Sequence, residues 1–115
     1  MTYDQIKKLD LSDVVISVTN LDDLVKECLS IVKTSTLKDN EIQLWIRAAI
    51  FDLKLKGINA EYKIQDPLIR GAIVMYVKAN FGITDVKEKE LAEAHYDKLA
   101  MHLSLSEDYR MVEDD

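Results

Sequence analysis

Between residues 39 and 82 the chain carries two long runs in which apolar residues cover more of a helix circumference than one packing partner can hide. The first run, 40–56, has two apolar faces when residues are placed at 100° steps. Ile42, Trp45, Ile46, Ala49, Ile50 and Leu53 form one, and Leu44, Ala48, Phe51 and Leu55 the other. Gln43, Arg47 and Lys54 make a polar strip between them, and Asp52 and Lys56 pair across one turn. Asp39 is placed to cap this helix, and Gly57 to end it. The second run, 67–81, opens with Asp66-Pro67, a cap followed by proline at the first helical position. Leu68, Ala72, Met75 and Ala79 form one of its faces. Ile69, Ile73 and Tyr76 form a second, and Val74, Val77 and Phe81 a third. Gly71 costs this helix about 1 kcal/mol relative to alanine, so close approach of another helix is its expected use. Gly82 terminates the run. The loop 57–66 carries Ile58, Tyr62 and Ile64 and exceeds what a tight helical hairpin needs.

Two single-stripe helices flank this pair. Residues 21–33 place Leu21, Leu24, Val25, Cys28, Ile31 and Val32 at three- and four-residue steps, with Thr19 or Asn20 as cap. Residues 86–103 place Ala92, Tyr96, Leu99 and Leu103 on one side and charged residues on the other, with Thr84 or Asp85 as cap. Ahead of them, Tyr3, Ile6 and Leu9 have the spacing of a short helix over 3–9. The β-branched run 14–18 prefers an extended chain and reads as an arm lying on the helices or pairing with another subunit. Three Gly and one Pro in 115 residues favour long helices. The expectation is one all-α domain: an arm over 1–20, a four-helix body over 21–103 with the two apolar helices at its centre, and an acidic tail over 104–115.

The net charge is −6, and the last ten residues, with five acids and one Arg, supply −4 of it. A near-neutral body offers no basic footprint for phosphate, which argues against tight nucleic-acid binding. The long loop and the apolar second helix also argue against a helix-turn-helix. A lone cysteine allows no internal disulfide. The N-terminus lacks the pattern of a signal peptide, and no apolar run is long enough for a bilayer, so an intracellular product is expected.

No catalytic or ligand-binding constellation stands out. His95 and His102 are two turns apart, about 10 Å along the axis, too far to share an ion. Neither has a His, Asp or Glu at three or four residues on either side. Glu90, Glu93 and Asp97 read as a solvated face. Cys28 lies in an apolar stripe without an activating base. Phosphate loops, nucleophile elbows, zinc motifs and calcium loops are all missing from the sequence. No cofactor or metal is expected, and the sequence points away from an enzyme.

A more specific signal lies in the order of several short segments. Residues 38–42 (KDNEI), 46–49 (IRAA), 52–54 (DLK) and 57–58 (GI) are followed by 66–69 (DPLI) and 72–82 (AIVMYVKANFG). Residues 96–99 (YDKL) and 103–109 (LSLSEDY) complete the set. Together, over about residues 21–109, these resemble the head–tail connector family of long-tailed phages and prophages, the stretch YVKANFG most specifically. The resemblance implies a structural virion protein at the head–tail junction, made in the bacterial host cytoplasm. It implies a ring of copies on the portal protein, matching its twelvefold symmetry. Such a ring extends the DNA channel and docks a stopper or tail-completion protein, with DNA passing unheld and no membrane involved. A ring interface joins two different patches of each subunit. The candidates are the surplus faces, the loop and the termini: Leu44, Ala48, Phe51, Leu55, Ile58, Tyr62, Ile64, Tyr109 and Met111. The alternative reading is a small helical protein-binding or regulatory module unrelated to virions.

Overall fold

The computed structural model describes residues 3–32, 39–81 and 85–111, and five helices lie within them. They are α1 (Tyr3–Lys7), α2 (Val18–Val32), α3 (Asp39–Leu55), α4 (Pro67–Asn80) and α5 (Val86–Leu105). The all-α expectation stands, with five helices in place of four. Residues 33–38 and 82–84, including the proposed stop at Gly82 and cap at Thr84, lie outside the described residues, as does the tail beyond Met111.

α3 and α4 form the central antiparallel pair. α2 packs on both, α5 packs along α4, and α1 lies on α3. The core is the face predicted for α3, with Ile42, Trp45, Ile46, Ala49, Ile50 and Leu53 all buried. Ile69, Ala72, Ile73, Val74 and Val77 face it from α4. Leu21, Leu24, Val25, Cys28 and Val32 close one side of this core from α2, and Tyr96, Ala100 and Leu103 contribute to it from α5.

α3 ends as its glycine demands. Gly57 sits at φ +80°, the left-handed region. Its N–H bonds the carbonyl of Lys54 at 2.9 Å, and the Ile58 N–H reaches back to Leu53 at 3.0 Å. These are the two bonds of a Schellman cap, and the buried side chains of Leu53 and Ile58 supply its apolar contact. At the start of α4, the Asp66 carboxylate accepts from the Leu68 N–H at 2.8 Å, ahead of Pro67.

Two local expectations are corrected. α2 starts at Val18, capped by Ser17 and not by Thr19 or Asn20. The Ser17 carbonyl accepts from Leu21 N–H at 2.9 Å and its Oγ from Asn20 N–H at 3.2 Å. The β-branched residue Val18 was read as extended chain, but a serine hydroxyl one residue earlier satisfies an orphan N–H and outweighs that weak preference. Gly71 is not a point of close approach, since a Cβ there would meet nothing within 4 Å. Gly71→Ala is therefore expected to stabilise the protein by about 0.5–1 kcal/mol through the unfolded chain, read as a rise in urea midpoint.

Of the two readings of the N-terminal segment, an arm lying on the helices or one pairing with another subunit, the first holds: the segment packs on α3. Ile6, Leu11 and Val14 are buried, and the chain turns over the Asp10 carboxylate, which accepts from Ser12 N–H at 3.1 Å and Ser12 Oγ at 2.6 Å. Arg47 donates to the Val14 carbonyl at 3.4 Å. The segment pairs with no strand among the described residues.

Cys28 is fully buried in this core, and burial, with the charge of Glu27 adding to it, pushes its thiol up to about 12. The native thiol is therefore expected to stay silent toward a disulfide reagent at mildly alkaline pH and to react fully in denaturant, as a colorimetric titration would show.

Candidate functional site

Two places combine polar chemistry or exposed apolar surface with defined geometry. The first is a cleft of about 410 Å³ where α3, α4 and α5 meet, lined by Asp52, Lys56, Tyr76, Asn80, Lys89, Glu93 and Tyr96 among others. Asp52 comes from α3 and Lys56 from one turn on, just past its end, Tyr76 from α4 and Tyr96 from α5. The Tyr96 hydroxyl donates to Asp52 Oδ2, and Lys56 Nζ lies 2.6 Å from that same oxygen. The ammonium also sits 5.6 Å from the Tyr96 ring centroid. The rings of Tyr76 and Tyr96 meet edge to face at 5.1 Å, and Trp45 lies 6.4 Å beyond Tyr76.

Burial and then the Asp52 charge push the Tyr76 phenol up to about 12. Burial and the Asp52 hydrogen bond raise Tyr96 in the same direction. Both phenols stay protonated at neutral pH, and the carboxylate is already committed to a hydroxyl and an ammonium. The cleft thus holds a satisfied polar clamp across three helices rather than an acid–base pair poised to act. Among the described residues no cluster of three His, Cys, Asp or Glu could hold a metal ion.

The second place is the end of the molecule where α3 stops, α4 starts and the tail returns. The loop after α3 is its hub. Asn59 N–H bonds the Tyr109 carbonyl at 2.7 Å and Met111 N–H bonds the Gly57 carbonyl at 2.8 Å, so Ile58 and Arg110 form an antiparallel bridge. Tyr109 Oη donates to Asp66 Oδ2 at 2.8 Å, fastening the tail to the cap of α4. The start of α2 joins the same end. Gln65 donates to Asn20 Oδ1, and Arg70 reaches Asn20 at 3.5 Å and Glu27 at 3.8 Å. Glu61 accepts from Val15 N–H and pairs with Lys54 at 2.6 Å.

Seven large apolar side chains stand exposed on this end: Val15, Val18, Leu55, Tyr62, Leu68, Leu105 and Met111. Exposed apolar residues gathered in one region mark a contact surface more often than scattered ones do. Of the residues singled out from sequence, Leu55, Tyr62 and Met111 are brought together here, 70%, 79% and 44% exposed. Leu44, Phe51 and Tyr109 keep partial exposure. Ala48, Ile58 and Ile64 are buried in the chain's own core and present no surface to a partner. Long-range packing in the core covers Ala48, and the Schellman cap turns Ile58 inward. Val15, Val18, Leu68 and Leu105 escaped the sequence reading, because only the hydrogen bonds around the loop bring them to one end.

The tail's anchor titrates. The Tyr109 hydroxyl, then the backbone N–H groups of Leu68 and Ile69, hold the Asp66 carboxyl below the ordinary carboxylate range. A depressed folded value means its stabilisation is present above about pH 4 and is lost as pH falls through the folded value. The same bond raises Tyr109, whose stabilisation is present below about pH 10 and lost as pH climbs beyond it. Tyr109→Phe is expected to lower the urea midpoint at neutral pH and to match the parent below the acid transition. A gap of constant size across that range would refute the assignment.

Compared with known proteins, residues 21–110 match the family described as phage connector protein. No curated protein and no solved structure matches the chain.

Proposed function

The chain belongs to the phage connector protein family, and we propose on that footing that it is a structural part of the phage head–tail junction. In this reading, copies assemble as a ring on the portal, matching its twelvefold symmetry, and extend the DNA channel. The ring presents a docking surface to a stopper or tail-completion protein, and the protein acts by shape and contact rather than by catalysis. The family match over most of the chain carries the reading. The apolar end built by the loop, the tail and the start of α2 supports it, because each copy then has a surface to bury that it cannot bury alone. The acidic balance of −6 also fits, since a channel that must release DNA gains from not neutralising phosphates. Among the described residues no helix is long and apolar enough to cross a membrane.

The test is direct. The protein is mixed with its portal, and the particles are imaged by electron microscopy. An added ring on the portal is the expected result; portal particles unchanged at saturating protein sink the proposal. Leu55→Ser with Tyr62→Ser changes only exposed side chains, so the variant should fold as the parent does and fail to join the ring.

A further inference from the structure

Trp45, Tyr76 and Tyr96 form a line of aromatic rings that runs from the core to the cleft. They come from α3, α4 and α5 in turn. Trp45 is buried and is the chain's only tryptophan. Its ring centroid lies 6.4 Å from that of Tyr76, which lies 5.1 Å from that of Tyr96 at the cleft wall. The two ends of the line differ in what they can do with a proton. The buried indole Nε1 of Trp45 has no hydrogen-bond partner among the described residues. The Tyr96 hydroxyl donates to the Asp52 carboxylate. Between them, the Tyr76 hydroxyl has no acceptor among the described residues.

We propose that this line is an electron relay, in which Tyr96 restores Trp45 after the indole has lost an electron. The oxidant is a one-electron acceptor of the cobalt(III) ammine class, which captures the electron ejected from photoexcited Trp45 and leaves the indole as a cation radical. With no acceptor for its N–H, the indole keeps its proton and its charge. A cation among apolar side chains is costly, which favours drawing an electron into the core. Tyr96 supplies that electron through the ring of Tyr76. An oxidised phenol is a far stronger acid than a carboxylic acid, so its proton crosses the existing hydrogen bond to Asp52. The products are neutral Trp45, a Tyr96 phenoxyl radical and a protonated Asp52. One electron and one proton have moved, and the indole's positive charge and the carboxylate's negative charge have both gone. Lys56, 2.6 Å from the same carboxylate oxygen, weakens Asp52 as a base, an effect that the acidity of the oxidised phenol outweighs. Tyr76 is the poorer end point, because its proton has no such acceptor. The oxidising equivalent thus leaves the core for the wall of the cleft. None of this rests on the connector reading.

Laser flash photolysis tests it, with circular dichroism checking that each variant is folded. Light at the red edge of tryptophan absorption excites Trp45 alone, and a cobalt(III) ammine complex in solution takes the ejected electron. In the parent, the indole radical band should decay and the phenoxyl band rise at one rate, unchanged on dilution. Tyr96→Phe keeps the ring and should slow that decay at least about tenfold. Asp52→Asn keeps a hydrogen-bond acceptor but no base, and should slow it at least about tenfold as well. Tyr76→Leu removes the middle ring and should slow it too, whereas Tyr76→Phe keeps the ring and should leave it unchanged. An indole radical that decays in the parent with no phenoxyl rise would overturn the proposal. So would a phenoxyl rise undiminished in Tyr96→Phe, a rate indifferent to Asp52→Asn, or a rate that falls on dilution, the mark of transfer between molecules.

Discussion

Replacing Trp45 with alanine is expected to cost about 3–5 kcal/mol, the largest loss open to a single side chain here. Trp45 is 1% exposed, lies among the core residues that α3 shares with α4, and stacks toward Tyr76. Its removal loses the transfer energy of a large ring and leaves a cavity that rigid helices fill only in part. A domain of this size has about 5–15 kcal/mol in all, so the variant should be close to unfolding at room temperature. Circular dichroism in a urea series would read this, since the chain's only tryptophan is gone. Trp45→Phe separates packing from hydrogen bonding. The indole Nε1 is buried with no hydrogen-bond partner, so phenylalanine loses no bond and even removes an unsatisfied donor. Its cost should be well under half that of alanine. Equal costs would mean that the indole nitrogen has a partner of importance.

The second large effect is expected at Asp52. Asp52→Ala leaves the Tyr96 hydroxyl, on a side chain only 4% exposed, without its acceptor. Stranding a buried donor costs about 1–3 kcal/mol. The pair with Lys56 is half exposed and contributes about 0–1 kcal/mol, so the hydroxyl and not the ammonium dominates. Three comparisons follow from that order. Lys56→Ala should cost less than Asp52→Ala. Tyr96→Phe should cost about 1 kcal/mol. The double change Asp52→Ala with Tyr96→Phe should cost clearly less than the two added, because it strands nothing. Additive losses would show that the clamp is not a unit.

The helices themselves were legible because their causes are local. The three-and-four spacing of apolar residues placed α2 through α5 within about three residues at each end. Asp66-Pro67 and Gly57 marked a start and a stop that the structure keeps. Ser17 was missed because a β-branched run hid the cap in front of it. The surplus face of α3 was legible as surplus, but not its fate. Nothing in positions 44, 48, 51 and 55 says that Ala48 will be buried while Leu55 is left bare.

By itself, then, the sequence determined an all-α domain, its two central helices, its lack of a recognisable catalytic motif and its resemblance to head–tail connectors, all of which rest on spacing along one chain. Tertiary structure decided which apolar residues remain available. Exposure depends on what long-range neighbours cover: Val14 over Arg47, Tyr109 against Asn59 and Asp66, Glu61 against Val15. Those contacts join residues more than thirty positions apart, and no periodicity records them.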